Sequence, residues 1–211
     1  MPLTNHFNSA NNCKLAVWKI TETEQYLRER LALTSAQVKA LEERKTLSGR
    51  QGYLAVRTAL ASLEIPLDQL GISSQGIPLL PSSYCSLSHT PQYAAAVVSP
   101  TSVGIDIESY RPKIHRIADK FVHQNEQAFL GEEVTKLTRL WTAKEAIYKA
   151  LKVTGLSFQQ QIELMPFDLD DTSGSAKVYL PDHPCTVQLQ FSTFEEHELT
   201  IAHNILYERI D

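Results

Sequence analysis

Helix-period and strand-like patterns of apolar residues alternate through the first hundred residues. Apolar residues recur at helical spacing through 24–33 and again through 35–63, where Ser35 is a candidate N-cap. Pro66 and Gly71 break the helical pattern, and the glycine and prolines of 76–83 predict a loop. Branched and aromatic residues predict three strands, at 14–20, 85–89 and 93–99.

The rest of the chain follows a similar order. Helical periodicity covers 118–130 and 136–152, and Gly155 ends the second of these patterns. Four further runs predict strands, at 103–108, 178–180, 186–191 and 199–206.

An echo between the two halves predicts an internal duplication. Each half runs through helices to a strand, a turn and a second strand, which reads YAAAVV (93–98) in the first half and LTIAHN (199–204) in the second. We therefore expect an α/β (α+β) fold, a pseudo-twofold duplication of a helices-plus-antiparallel-sheet unit, with halves at 1–100 and 101–211. The active site is expected between the halves, where pockets readily form.

Composition narrows the function classes. Of the 211 residues, 43% are hydrophobic and 21% charged, as in an ordinary soluble globular protein. No apolar stretch approaches the ~20 residues of a membrane-spanning helix, and the first residues lack the pattern of a secretory signal. Three widely separated cysteines argue against a disulfide framework or zinc site and fit a reducing cytoplasm. A net charge of −4 argues against broad nucleic-acid binding.

The strand V-G-I-D-I-E (103–108) ends with two carboxylates on one face. In an extended strand, Asp106 and Glu108 point the same way, about 6.5–7 Å apart. Such carboxylates repel each other unless a cation neutralises them, and oxygen ligands of this kind suit Mg²⁺. The alternative is a strand that runs into solvent and exposes both side chains.

A second fragment, W-T-A-K-E-A-I-Y-K (141–149), lies in a predicted helix. Glu145 and Lys149 are four residues apart and therefore share a helix face. They can supply a third carboxylate for a metal and a cation for a phosphate, and Lys144 is a second such cation. The alternative is a common surface ion pair worth about 0.2–0.5 kcal/mol.

Two fragments in the first half offer phosphate ligands. Ser88 and His89 end the strand S-L-S-H (86–89), where a hydroxyl, an imidazole and turn amides can bind a phosphate oxygen. The alternative is a turn-capping pair. Basic residues also gather around 42–50, although a solvated helix face explains each of them equally well. They are Lys39, Arg44, Lys45 and Arg50.

In this order, the fragments resemble the 4′-phosphopantetheinyl transferases. The resemblance covers nearly the whole chain, is strongest over 84–158, and extends in length and two-half layout to the monomeric type that activates peptide and polyketide synthetases. The matching motifs are Gly76-x-Pro78, Ser86-Leu87-Ser88-His89, Gly104-Ile105-Asp106-Ile107-Glu108, Trp141-x-x-Lys144-Glu145-Ala146-x-x-Lys149 and Gly155-Leu156-Ser157.

The resemblance implies an enzymatic activity. The family moves the 4′-phosphopantetheine arm of coenzyme A to a serine of an apo acyl or peptidyl carrier protein and releases 3′,5′-ADP. The carrier would belong to fatty acid, polyketide or nonribosomal peptide biosynthesis. Two alternatives stay open: a Mg²⁺-dependent phosphohydrolase that uses the same carboxylates, and an inactive homologue that only binds carrier proteins.

The resemblance also implies roles for individual residues. Asp106, Glu108 and Glu145 would hold Mg²⁺, or Mn²⁺ in its place, against the pyrophosphate. Asp106 would also count as catalytic, Glu145 would act as general base toward the serine hydroxyl, and Lys149 would neutralise or protonate the departing 3′,5′-ADP. Contacts to the coenzyme A phosphates are expected from Ser88, His89, Lys144, Lys39, Arg44, Lys45 and Arg50.

The chain departs from the family at one coenzyme-binding position. The family commonly has Gly-Lys-Pro where this chain has G-I-P (76–78), so Ile77 replaces a usual coenzyme-binding lysine. Either Arg44, Lys45 or another cation compensates, or coenzyme A binds less tightly.

A basic run follows the strand that carries the two carboxylates. Carrier proteins are usually acidic around their serine, so a basic run of this kind is a candidate docking surface. The alternative is an ordinary basic loop and helix start. We expect the carrier to dock near Arg111, Lys113, Ile114, Arg116 and Phe121.

Overall fold

The computed structural model describes residues 13–181 and 183–208. Residues 1–12 lie outside these ranges. They include most of the N-terminal segment whose sequence lacks the pattern of a secretory signal. The chain divides into two compact units, Met1–Thr101 and Ser102–Asp211. We refer to them as the N-terminal unit and the C-terminal unit.

Three helices and two small sheets form the described part of the N-terminal unit. The helices are α1 (Glu24–Glu29), α2 (Ser35–Glu42) and α3 (Leu47–Ser62), followed by a 3-10 turn at Leu67–Gln69. The strands are β1 (Lys14–Lys19), β2 (Gly71–Ile72), β3 (Pro78–Leu79), β4 (Tyr84–His89) and β5 (Tyr93–Ser99). An antiparallel sheet has the order β1-β5-β4. A second pair consists of β2 and β3, and β3 lies in the segment predicted as a loop.

The long helical stretch predicted at 35–63 forms two helices, and each of them begins at a threonine cap. Thr34 accepts a hydrogen bond from the Gln37 amide, and the Gln37 side chain accepts one from the Thr34 amide. Thr46 accepts a hydrogen bond from the Gly49 amide and so begins α3. Such caps satisfy amides that have no partner within a helix, so each threonine fixes a new first turn. The N-cap of α2 is therefore Thr34 and not Ser35.

The core of the N-terminal unit lies between α3 and its sheet. Every residue of β5 is buried, which explains why this strand reads as a continuous run of alanine and valine. The helix faces the sheet with small and aliphatic side chains such as Ala55, Ala59 and Leu60. Small side chains let helix and sheet approach closely, so α3 lies directly over the strands that end at the candidate phosphate ligands.

One long helix and a five-stranded sheet dominate the C-terminal unit. The strands are β6 (Gly104–Ser109), β7 (Ile162–Leu164), β8 (Ser173–Val178), β9 (Cys185–Phe194) and β10 (His197–Tyr207). The helices are α4 (Gln127–Leu130), α5 (Val134–Leu151) and α6 (Phe158–Gln161), with 3-10 segments at Pro112–Lys120 and Gln124–Glu126. All neighbouring strands are antiparallel, in the order β6-β10-β9-β8-β7. No helix within 13–181 or 183–208, α5 included, is long and apolar enough to span a membrane.

The prediction of a helix at 118–130 is wrong. A 3-10 segment, Pro112–Lys120, ends early in this range, and a new turn begins at His123. The His123 amide donates to the Glu126 carboxylate at 2.7 Å, and its ring accepts a hydrogen bond from the Asn125 amide at 3.2 Å. Because this capping box fixes a new first turn, the apolar spacing belongs to separate short segments and not to one helix.

Both units repeat one order of strands and helix. In the N-terminal unit, β1 precedes α3, and the hairpin β4–β5 pairs its second strand with β1. In the C-terminal unit, β6 precedes α5, and the hairpin β9–β10 pairs its second strand with β6. The strands whose sequences echo each other, β5 and β10, therefore occupy equivalent places. The predicted fold of helices with antiparallel sheets is confirmed.

Candidate active site

A glycine lets helix α5 lie directly against strand β6. A Cβ atom added at Gly104 would lie 1.9 Å from the Ala146 carbonyl oxygen and 2.6 Å from the Ala150 nitrogen. Both atoms belong to the helix backbone, so no larger residue fits unless the helix moves. Gly104 therefore sets the distance at which the side chains of β6 and α5 meet.

Alternation along β6 directs two carboxylates toward the helix. Gly104 faces α5, so Asp106 and Glu108, at two-residue intervals, lie on the same face. The Lys149 ammonium of α5 donates to Asp106 Oδ1 at 2.6 Å and to the Ile105 carbonyl oxygen at 3.1 Å. The Asp106 side chain is 6% exposed and that of Lys149 is 27% exposed, so the pair lies at the margin of the interior. The structure thus brings Asp106 and Lys149 together.

Trp141 connects the helix to the second carboxylate of β6. Its indole N–H donates a hydrogen bond to the Glu108 carboxylate. The ring centroid lies 5.1 Å from that of Phe121 and 5.6 Å from that of Phe158. These aromatic contacts hold the indole in place, so Trp141 both anchors the helix and orients Glu108. The sequence alone indicates only the anchor.

Burial and mutual repulsion raise the pKa values of two carboxyl groups. Burial, followed by the negative charges of Asp106 and Glu108, raises the pKa of Glu145 to about 7, against the attraction of Lys149. Burial and then the charge of Asp106 likewise raise the pKa of Glu108. Glu108 and Glu145 therefore lie within the field of Asp106, and the nearby cations do not fully offset the cost of ionising Glu108 and Glu145.

The chemistry of this carboxylate group fits a hard divalent cation. Within 13–181 and 183–208, no three His, Cys, Asp or Glu side chains are arranged as a metal site. Asp106, Glu108 and Glu145 nevertheless offer only oxygen donors, which Mg²⁺ prefers. A divalent cation beside them would also remove the repulsion that raises the pKa values of Glu108 and Glu145.

Lys144 lies in the interior of the C-terminal unit and not at a surface that coenzyme A can reach. Its side chain is 0% exposed, and its ammonium lies 2.8 Å from Glu126 Oε2. Burial lowers the pKa of Lys144 to about 8, while the charge of Glu126 opposes that shift. This placement corrects the expectation that Lys144 contacts coenzyme A, because a wholly buried ammonium with an internal partner cannot reach a ligand. The sequence reasoning missed Glu126, whose signal is the capping box that it forms with His123.

His89 lies exposed at the end of β4, and its ring packs on helix α3. A Cβ atom added at Gly52 would lie 2.6 Å from both Cε1 and Nδ1 of His89, so the glycine provides the space that the ring occupies. Ser88 precedes it, partly buried, on the same edge strand of the N-terminal sheet. Gly52 is a further residue that the sequence reasoning missed.

The four predicted basic ligands lie in and around the connection from α2 to α3. Two of them already have protein partners. Arg50 Nε donates to Glu24 Oε2 at 2.8 Å, and the Arg44 guanidinium lies 4.3 Å from the centre of the Tyr53 ring. The two lysines, one on α2 and one after it, are exposed. The four are Lys39, Arg44, Lys45 and Arg50.

The basic run after β6 is mostly at the surface of the C-terminal unit. Lys113 and Arg116 are exposed, and Arg111 is partly buried. Ile114 packs partly against the core. Phe121 is 0% exposed, so the expectation that it contacts a carrier protein is wrong.

Comparison with known proteins gives a consistent family. The family model described as the 4′-phosphopantetheinyl transferase superfamily matches residues 102–202, which contain the carboxylate group and α5. A 4′-phosphopantetheinyl transferase of Bacillus pumilus is 29% identical over 161 residues, which are 70% of this chain and 66% of that protein. A second, from Bacillus subtilis, is 27% identical over 165 residues, or 72% of this chain and 71% of that protein. Over residues 102–202 the chain is therefore similar to the 4′-phosphopantetheinyl transferase superfamily, and over 70–72% of its length it is similar to transferase enzymes of that name.

Proposed function

We propose that the chain transfers the 4′-phosphopantetheine group of coenzyme A to a serine of an apo acyl or peptidyl carrier protein and releases 3′,5′-ADP. The observation that carries this proposal is the meeting of Asp106, Glu108, Glu145 and Lys149 where β6 crosses α5. This group lies inside the region that matches the superfamily. It combines acidic oxygens with a cation, as phosphoryl-type transfer requires.

In this proposal, Asp106, Glu108 and Glu145 hold Mg²⁺, with Mn²⁺ as an alternative. The bound metal would draw charge from the pyrophosphate oxygens as the P–O bond breaks. Gly104 and Trp141 support the site by setting the helix-to-strand distance and by orienting the Glu108 carboxylate.

The reaction exchanges one phosphorus–oxygen bond for another. The serine Oγ of the carrier attacks the phosphorus attached to the pantetheine arm, and the bond from that phosphorus to the bridging oxygen breaks. Glu145 accepts the serine proton, directly or through water. The electron pair of the broken bond leaves on 3′,5′-ADP, whose charge Lys149 neutralises.

The N-terminal unit supplies the residues proposed to bind the coenzyme A phosphates. Ser88 and His89 offer a hydroxyl and an imidazole at the end of β4. Around the α2–α3 connection, the exposed Lys45 is our preferred replacement for the lysine that Ile77 displaces. Arg50 is the weaker candidate because it is already paired with an acidic partner. Lys39 and Arg44 complete the set.

A carrier protein is proposed to dock on the 3-10 segment Pro112–Lys120 and the residue before it. Arg111, Lys113 and Arg116 offer positive charge there, and the serine-bearing face of carrier proteins is acidic. Ile114 adds a partly exposed apolar contact. We further propose that the protein acts in the cytoplasm as a monomer.

Replacing Gly52 with alanine is expected to raise the KM for coenzyme A by about tenfold, the equivalent of losing ~1.4 kcal/mol of binding. The added methyl group would occupy the place of the His89 ring and displace it. Steady-state kinetics of Gly52→Ala, His89→Ala and the double variant test this. If Gly52 acts through His89, the double variant matches His89→Ala, whereas additive effects would contradict that role.

The affinity for Mg²⁺ is expected to rise with pH up to about pH 7 and then to level off. Below its pKa of about 7, Glu145 carries a proton that a cation must displace. One displaced proton makes the apparent affinity rise about tenfold per pH unit in that range. Calorimetric titration with Mg²⁺ at several pH values measures this slope. A flat profile would remove Glu145 from the metal site.

Release of 3′,5′-ADP tests the proposed function and separates it from hydrolysis. The protein is incubated with coenzyme A, Mg²⁺ and either an apo carrier protein or the same carrier with its serine replaced by alanine. Chromatography then measures the nucleotide product. We expect 3′,5′-ADP only with the intact serine, whereas equal release in both mixtures would identify a phosphohydrolase.

A further inference from the structure

A buried lysine connects helix α5 of the candidate active site to the 3-10 segment Pro112–Lys120, which we call the docking segment. Lys144 precedes Glu145 on α5 but points into the core. An ammonium has three protons, so four oxygens close to Lys144 leave none of these protons for a ligand. Those oxygens are the carbonyls of Phe121 (2.7 Å), Ile162 (2.7 Å) and Phe158 (3.0 Å), and Glu126 Oε2 (2.8 Å).

Two of these acceptors lie on either side of the turn that follows the docking segment. Phe121 is the C-terminal cap of the 3-10 segment Pro112–Lys120. Glu126, five residues later, accepts further hydrogen bonds from the amides of His123 at 2.7 Å and Leu164 at 2.8 Å. The Lys144 ammonium therefore fixes both ends of the turn to α5.

The side chain of Phe121 makes a second connection to the site. Its ring packs edge-on against Trp141, whose indole donates to the Glu108 carboxylate. A shift of Phe121 would therefore disturb the group that orients Glu108. The end of the docking segment is thus tied to the candidate active site through its backbone and through its ring.

The docking segment itself is packed only shallowly against the core, so its buried anchor at Phe121 matters for its position. None of the residues of Pro112–Lys120 is fully buried, although Ile114, Ile117 and Ala118 pack partly against the core. A 3-10 helix also has poorer hydrogen-bond geometry than an α-helix. The hydrogen bond from Lys144 to the Phe121 carbonyl therefore gives the segment a fully buried attachment to α5 at the point where it ends.

We propose that Lys144 is a positioning residue, which fixes the docking segment relative to α5 so that a bound carrier protein presents its serine to Glu145 and Lys149. This inference rests on the proposed function. It gives Lys144, the buried lysine of the helix motif, a role in positioning the carrier protein and none in binding coenzyme A.

The test replaces Lys144 with methionine, which has a similar length and no donor. We expect the KM for an apo acyl carrier protein to rise roughly ten- to hundredfold, as for other small misplacements of reacting groups. The dissociation constant for coenzyme A, measured by calorimetry, should change less than about twofold, which corresponds to ~0.4 kcal/mol. Amide hydrogen exchange over 112–122 should become faster.

Val187→Ala is the matched control for a general loss of stability. Val187 lies on β9 and is wholly buried in the core of the C-terminal unit. The Lys144 ammonium instead bonds to groups such as the Phe121 carbonyl and the Glu126 carboxylate. We expect this variant to unfold more easily and to keep the wild-type KM for the carrier. If Lys144→Met does not fold, Glu126→Gln weakens the same anchor, and a smaller rise in carrier KM is expected.

The outcomes separate the inference from the proposed function. A carrier KM in Lys144→Met or Glu126→Gln equal to that of Val187→Ala would overturn the positioning role, as would a loss confined to coenzyme A binding. Failure of the wild-type protein to modify any carrier would instead overturn the proposed function. In that case, amide hydrogen exchange still tests whether Lys144 anchors the docking segment. Equal exchange rates over 112–122 in Lys144→Met and in Val187→Ala would contradict that anchoring role.

Discussion

Replacing Glu145 with glutamine is expected to lower the rate of transfer by about 10²–10⁴-fold, the usual cost of removing a general base. The same change should stabilise the protein in the absence of divalent cations. Glutamine keeps the shape of the side chain but removes the charge that burial, Asp106 and Glu108 make unfavourable. Opposite effects on activity and on stability are the signature of a carboxylate retained for function.

The pH dependence of this stabilisation follows from the raised pKa of Glu145. The folded protein keeps a proton on Glu145 up to about pH 7, whereas the unfolded chain loses it near the ordinary glutamate pKa of 4.5. The wild-type protein therefore loses stability as the pH rises through that window. The advantage of Glu145→Gln should grow through the same window and reach about 1–3 kcal/mol above it. Urea unfolding with a chelator present measures this advantage in stability.

Glu132→Gln, at an exposed position, is the control and should change neither the transfer rate nor the stability. Full transfer activity in Glu145→Gln would contradict its role.

Replacing Gly104 with alanine is expected to destabilise the C-terminal unit by about 3 kcal/mol or more, at the upper end for overpacked positions. The added Cβ atom would lie 1.9 Å from the carbonyl oxygen of Ala146, which is part of the helix backbone. Because backbone cannot rotate away as a side chain can, α5 must move off β6. Glu145 and Lys149 would move with the helix, so transfer activity should fall even where the protein still folds.

Gly71→Ala is the matched control for Gly104→Ala. A Cβ atom added at Gly71 would lie 3.8 Å from its nearest neighbour, Leu79 Cβ, which is an ordinary contact. We expect its free energy of unfolding to change by less than about 0.5 kcal/mol. Chemical denaturation and the transfer assay are measured for both variants. Equal stabilities of the two variants would contradict the account of how β6 and α5 meet.

The sequence predicts the long, strongly periodic elements best. The helix predicted at 136–152 is observed as Val134–Leu151, and the strand predicted at 93–99 is observed as Tyr93–Ser99. Short elements were missed, because the two-residue strands of the hairpin at Gly71–Ile72 and Pro78–Leu79 carry no detectable period. The division of the predicted helix at 35–63 depends on Thr46, whose hydroxyl accepts a hydrogen bond from the Gly49 amide, and apolar spacing does not reveal this cap.

Prediction from the sequence is limited in a similar way at the candidate site. Strand alternation places Asp106 and Glu108 on one face of β6, and helix spacing places Glu145 and Lys149 on one face of α5. The same reasoning cannot tell which of the two lysines beside Glu145 reaches the site. At 100° per residue, Lys144 and Lys149 lie about 140° apart around the helix, so one can face the core while the other faces the strand. Burial decides between them, and it depends on distant groups such as Glu126.

Intact-mass spectrometry of an apo acyl carrier protein, incubated with this protein, Mg²⁺ and coenzyme A, tests the central claim most directly. We predict that the carrier gains the mass of one phosphopantetheine and that a chelator prevents the gain. No gain with acyl and peptidyl carriers, while the protein is folded and binds coenzyme A, would contradict the proposed transfer.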